Sequence, residues 1–121
     1  MNHTIVHFEI PASNPEKAGK FYNGLFGWKV SKMPGPTEYW GVETAPKGQG
    51  VNGGIARRSK AEDRPTNYIL VDSVQEYESK VKKLGGKVVV SKQEVPEMGY
   101  FAIALDPDGN AFGLWEPVKK G

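Results

Sequence analysis

Two stretches of the chain carry apolar residues at helical spacing. Ala18, Phe21, Tyr22 and Leu25 stand at i, i+3, i+4 and i+7, and Tyr77, Val81 and Leu84 form a similar stripe, which predicts helices over Pro15 to Leu25 and Val74 to Leu84, each with one apolar face. Asn14 before Pro15 reads as an N-cap with proline at the first helical position, Ser73 as the second cap, and Gly27 and Gly86 as stops. Elsewhere apolar and polar residues alternate with period two, predicting strands that begin with Thr4 to Ile10 in one half and Thr66 to Val71 in the other.

These elements recur. Leu25-Phe26-Gly27 and Leu84-Gly85-Gly86 lie 59 residues apart, and each follows a helix and precedes a strand-like run. Further on, Tyr39-Trp40-Gly41-Val42 answers Tyr100-Phe101-Ala102-Ile103, and Ala45-Pro46-Lys47-Gly48 answers Asp106-Pro107-Asp108-Gly109, the latter pair reading as turns. The offset is two residues larger at these later strands. The expected architecture is α+β: two β-α-β-β-β modules, about 1–56 and 66–117 of a single 1–121 domain, joined by a polar Arg57 to Pro65 loop. They would form an eight-stranded, cup-shaped mixed sheet with both helices on its outer face.

Strand parity then divides the residues between two faces. Val6, Phe8, Ile10, Trp40, Val42, Val51, Ile55, Ile69, Val71, Phe101, Ile103, Leu105, Phe112 and Leu114 are assigned beneath the helices. The opposite parity carries His7, Glu9, Tyr39, Gly41, Glu43, Asn52, Gly54, Thr66, Tyr68, Leu70, Tyr100, Ala102, Ala104, Gly113 and Trp115. Small residues flanked by aromatics and a few polar groups suit a concave ligand site better than a solvated sheet face, because glycine and alanine are poor residues for an exposed strand. His7, Glu9, Tyr39, Asn52, Tyr68, Tyr100 and Trp115 are therefore the candidate ligand-binding residues, and His7 is the candidate catalytic group.

Composition narrows the chemistry. The 121 residues, 38% hydrophobic and 25% charged, suffice for one ordinary core and contain no cysteine, which removes disulfides, thiolate metal sites and a cysteine nucleophile. The net charge is +2, and the densest basic run, Arg57, Arg58, Lys60 and Arg64, is broken by Glu62 and Asp63, so no nucleic-acid stripe is expected. No apolar run approaches the ~20 residues that span a bilayer, and the start lacks a signal-peptide pattern. A cytoplasmic protein that does not engage membranes is expected. Asp106 to Asn110 is too short and proline-containing for a calcium loop, and Gly53-Gly54 lacks the lysine and helix of a phosphate loop.

Several segments carry a family resemblance: His7-Phe8-Glu9-Ile10, Asn14-Pro15-Glu16-Lys17-Ala18 leading to Phe21-Tyr22, Leu25-Phe26-Gly27-Trp28, and Asp106 through Trp115. On these the chain resembles the vicinal-oxygen-chelate superfamily of glyoxalases, bleomycin-resistance proteins and extradiol dioxygenases, and among them the small bacterial glyoxalase-related proteins. The resemblance implies a homodimer and four metal ligands, one on the first and one on the last strand of each half. Those positions fall here on His7, Thr66, Gly113 and either Asn52 or Gly54, so three of the four lack a good ligand, with Glu9 as a makeshift neighbour of His7. No metal or other cofactor is expected. The expected function is binding of a compact small molecule, neutral or cationic because Glu9 and Glu43 lie on the inner parity. The alternative is a metal-dependent lyase, isomerase or dioxygenase related to lactoylglutathione lyase, which needs a metal and a carboxylate base in the family's arrangement.

Overall fold

A computed structural model describes residues 2–46 and 48–119. The elements run β1 (Ile5–Ala12), α1 (Pro15–Phe26), β2 (Lys29–Lys32), β3 (Tyr39–Glu43), β4 (Gly53–Arg57), β5 (Thr66–Leu70), α2 (Val74–Lys83), β6 (Lys87–Val95), β7 (Gly99–Leu105) and β8 (Ala111–Pro117). This is the expected β-α-β-β-β order, twice. The chain divides into two compact units, one holding His7–Thr66 and the other the residues up to Val6 together with those from Asn67 onward.

The His7–Thr66 unit orders its strands β2-β3-β4-β1, with β1 parallel to β4 and the other pairs antiparallel. The second unit repeats this plan as β6-β7-β8-β5, with β5 parallel to β8. Pairing is therefore mixed in each, because the helix carries the chain from the first strand to the far edge and an antiparallel meander of three strands then brings the last strand back beside the first, parallel to it.

Local chemistry starts and stops the helices as expected. Lys17 N donates to Asn14 Oδ1 at 3.0 Å and Glu76 N to Ser73 Oγ at 3.2 Å, each satisfying an orphan donor of the first turn. Gly27 ends α1 in the left-handed conformation; at the end of α2 that role falls to Gly85, not Gly86. Asp106 Oδ1 accepts from Asp108 N and Asn110 N, so the Asp106–Asn110 segment is a side-chain-braced turn. In the matching Ala45–Gly48 turn, where Gln49 N donates to Pro46 O, Lys47 lies outside the described residues. Arg57, expected to open the linking loop, instead ends β4 and binds Glu38 and Ser13 O, and Arg58 donates to Ala61 O, Asp63 O and Pro11 O, which holds these two cations against their own unit.

Each helix buries a stripe shifted from the expected one. On α1 the inward residues are Pro15, Ala18, Gly19 and Tyr22, packed with Phe8, Ile10, Trp28, Val30 and Trp40 around Ala12, Val42 and Ile55. Phe21 and Leu25 stay exposed, Phe21 meeting Tyr22 edge-on. Gly19 sets the stripe, since a Cβ there would press on the Val30 side chain. On α2 Val74 and Tyr77 pack with Val71, Ala102 and Leu114, while Leu84 is exposed.

The packing corrects the assigned parity of β7. Tyr100 and Ala102 belong to the cluster beneath α2, whereas Phe101 meets the Tyr68 ring. Strand register explains it: Gly41 pairs with Gly54 and Ile103 with Gly113, so the third strands of the two modules correspond at Gly41 and Ile103, 62 positions apart. Aligning Tyr39 with Tyr100 is one residue short, and a one-residue slip turns every side chain to the other face. Phe101 and Ile103 thus share a face with Tyr68, Gly113 and Trp115, while Tyr100, Ala102 and Ala104 lie on the α2 side with Phe112 and Leu114. Val51, assigned to the core, is an exposed residue preceding β4.

Candidate functional site

The face of the His7–Thr66 unit that points away from α1 gathers His7, Glu9, Tyr39, Gly41 and Gly54. Strand alternation puts them there: Phe8 and Ile10 pack toward α1, as do Trp40, Val42 and Ile55, so the intervening residues project oppositely. A hydrogen bond of 2.8 Å joins His7 Nε2 to Tyr39 Oη. Glu9 lies two residues along the same strand, opposite Gly54. Burial acts on both ionisable groups against their charged forms: it lowers the His7 pKa and raises that of Glu9.

The glycines of this face are not empty floor. A Cβ at Gly54 would fall inside the Tyr39 phenol, and one at Gly41 would come 3.1 Å from Met33 Sδ. In the second unit a Cβ at Gly113 would fall inside the Tyr68 ring. Each of Gly54 and Gly113 is therefore the seat of a tyrosine, the device by which an aromatic covers a strand glycine. Sequence reasoning took these positions for open space. The available signal was the Gly53-Gly54 pair within a strand, which marks close approach of another group.

The structure brings together only some of the expected site residues. His7, Glu9 and Tyr39 share one face. Tyr68 and Trp115 lie on the corresponding face of the second unit, with Tyr68 buried. Tyr100 does not belong there; it packs beneath α2, and Lys92 Nζ sits 4.4 Å from its ring centroid. Asn52 is occupied in holding the β3–β4 connection, its Oδ1 accepting from Thr44 N at 2.8 Å and Ala45 N at 3.4 Å. Glu43 is exposed and faces Lys29 across the β2–β3 register, which gives it a countercharge.

The residues present do not fit a first-row divalent metal at the family position. Glu9 pairs with Gly54 as Tyr68 does with Gly113, which settles the open alternative: the first module's counterpart of Gly113 is Gly54, and neither carries a side chain. Among the described residues no three His, Asp or Glu cluster, and such a site wants three or more protein ligands. The Nε2 atom of His7 is already engaged by Tyr39.

The burial of Glu9 has a measurable consequence. A carboxyl whose folded pKa is raised binds protons more readily folded than unfolded, so stability falls as pH climbs above the ordinary carboxylate range. Glu9→Gln is therefore expected to raise Tm at pH 7 to 8, with the gain shrinking toward pH 4, where the carboxyl is largely protonated in both states. His7 contributes oppositely: its lowered pKa costs stability below about pH 6.5. Thermal melts of both proteins across pH 4 to 8 check this, and a Gln gain that persists undiminished at pH 4 would contradict it.

A family model described as the Glyoxalase/Bleomycin resistance protein/Dioxygenase superfamily matches residues 4–114. A glyoxylase-like domain-containing protein of Didymella fabae is 32% identical, over 91% of this chain and 91% of its own length. The CFP32 protein of Mycobacterium tuberculosis, whose name carries the word glyoxylase, is 30% identical over 89% of this chain, which spans 43% of that relative. The anthracycline biosynthesis protein DnrV of Streptomyces peucetius is 25% identical, with 45% of its length covered. The chain thus spans less than half of these two relatives. Among solved structures, a hypothetical protein from Bacillus halodurans C-125 superposes with a TM-score of 0.75 at 14% identity, covering 100% of this chain and 99% of that one. Methylmalonyl-CoA epimerase from Mycobacterium tuberculosis gives a TM-score of 0.71 at 12% identity, over 95% of this chain and 88% of that chain. At these identities the structural likeness concerns the fold.

Proposed function

Because the chain belongs to the glyoxalase/bleomycin resistance protein/dioxygenase superfamily, we propose that it is a small-molecule-binding member whose ligand engages the face carrying His7, Glu9 and Tyr39. The observation that carries this reading is the 2.8 Å bond between His7 and Tyr39, placed beside a half-buried carboxyl on the side of the sheet away from α1. Burying imidazole and carboxyl side by side costs stability, and such cost is usual where groups are kept for recognition.

The ligand is compact and either neutral or cationic. A neutral polar group exchanges hydrogen bonds with the imidazole–phenol pair and with the Glu9 carboxyl, whose protonated form burial favours; a cation favours its ionised form and gains from the partial exclusion of water. The same reading includes a homodimer, as the family resemblance implies. A cytoplasmic location, permitted by a chain without cysteine, belongs to it as well. Among the described residues no helix is long and apolar enough to cross a membrane.

Charge-matched aromatic amides, amines and carboxylates tested by thermal shift decide the matter, since a ligand of the native state raises Tm with concentration. Amides or amines are expected to stabilise the protein, and His7→Ala to weaken that effect by about tenfold, the worth of one hydrogen bond to a partly buried group. A preference for carboxylates that survives in Glu9→Gln would refute the charge argument. Size-exclusion chromatography at several concentrations reports the dimer.

A further inference from the structure

We infer that Tyr39, seated on Gly54, is the specificity-determining residue of the His7 face: its hydroxyl takes up Nε2 of the imidazole and its ring takes up the space of a ligating side chain at position 54, and the face is thereby a hydrogen-bonding site rather than a metal seat. The inference deepens the reading above, on which it rests for the location of the site.

Three observations meet on this point. His7 Nε2, on the face away from α1, is bonded to Tyr39 Oη at 2.8 Å. The tyrosine reaches it by lying across β4, one strand over, where a Cβ at Gly54 would fall inside the phenol ring. Any side chain at position 54, a carboxylate included, would therefore displace Tyr39, so a ligating residue at 54 and a phenol bonded to His7 exclude each other sterically. In the second unit the counterpart of Tyr39, 62 positions on, is Phe101, which has no hydroxyl, and Gly113 seats Tyr68 from β5 instead, so a third-strand phenol reaching the first strand is particular to the His7 face.

The chemistry follows from what remains. Without the phenol, His7 and Glu9, two apart on one strand face, would offer one nitrogen and one oxygen donor, enough for weak capture of a divalent ion. With the phenol in place, a metal that approaches Nε2 must first break the hydrogen bond made there. The pair instead holds the imidazole in a defined orientation, and burial keeps it neutral.

The probe is zinc chloride, followed through the His7 imidazole in long-range proton–nitrogen NMR spectra of the native protein, Tyr39→Phe and Gly54→Ala. His3, bonded to Leu70 O and Tyr77 in the other unit, is the internal control. The native His7 is expected to show one neutral tautomer. In Tyr39→Phe the zinc concentration that half-saturates the His7 response should fall roughly three- to tenfold, the worth of one hydrogen bond given up. Gly54→Ala should act in the same direction while moving the Tyr39 ring signals; should it fail to fold, Tyr39→Phe decides alone. Equal response, or equal silence, of His7 in the native protein and Tyr39→Phe overturns the inference. Zinc needs no knowledge of the natural ligand, so failure of the amide and amine screen leaves this outcome readable, and failure here leaves that screen standing.

Discussion

Ile55→Ala is expected to lower the unfolding free energy by about 2–5 kcal/mol, a large share of the ~5–15 kcal/mol that holds an ordinary domain folded. Ile55 has no accessible surface and stands in the cluster of Ala12 and Val42, roofed by Ala18 and Tyr22 of α1. It is also fixed on both sides by strand pairing, to Ile10 on β1 and Trp40 on β3, so the backbone has little freedom to close over the void. The deleted methylenes lose their transfer energy, and the cavity left behind adds to the loss. Ile55→Val, which keeps the branch at Cβ, should cost only about 0.5–1.5 kcal/mol. Urea unfolding of the three proteins checks the order; an alanine variant within 1 kcal/mol of the native protein would show that this core repacks.

The second large effect separates the two faces of β7. Ala102 is fully buried between Val74 of α2 and Leu114 of β8, and Ala104 is equally inaccessible. Ala102→Leu is expected to destabilise by about 1–3 kcal/mol, because a well-packed site has no room for three added carbons without off-rotamer side chains or a displaced helix. Had Phe101 and Ile103 been the residues under α2, Ala102 would occupy the other face, and the same substitution would change stability by no more than about 0.5 kcal/mol. Denaturant midpoints for Ala102→Leu thus report directly on the register of β7, and a neutral result would restore the parity read from the repeat.

That register shows where sequence reasoning reached its limit. Period and capping chemistry are local, so the two helices, their Asn14 and Ser73 caps and the doubled β-α-β-β-β order were legible without coordinates. Face assignment within strands was equally legible where large apolar residues alternate with polar ones, as in Val6 to Ile10, and it places His7 and Glu9 opposite Phe8 and Ile10. It failed in Tyr100 to Leu105, where aromatic, aliphatic and small residues occupy both parities and hydrophobicity alone does not distinguish them. The repeat breaks that tie only at the 62-residue correspondence of Gly41 with Ile103, and an offset one residue short reverses the answer.

The helix stripes shifted for a related reason. Apolar arcs on α1 admit two neighbouring centres, and the choice between them is made by Gly19, which alone lets the helix approach Val30.

For the candidate site, the sequence by itself determined the inventory: His7 and Glu9 on one face, no cysteine, two histidines in all, and glycine at positions where a ligand-bearing side chain was sought. These are statements about residue type and parity, which tertiary contacts do not alter. Only the tertiary structure decided what fills the space above those glycines. Whether a glycine leaves a hollow or seats a ring depends on side chains contributed by other strands, here Tyr39 for Gly54 and Tyr68 for Gly113. The same holds for Asn52, whose carbonyl oxygen is spent on Thr44 and Ala45, and for Tyr100, drawn under α2. Residue chemistry is written in the chain; the partner that consumes it is set by packing between segments distant in sequence.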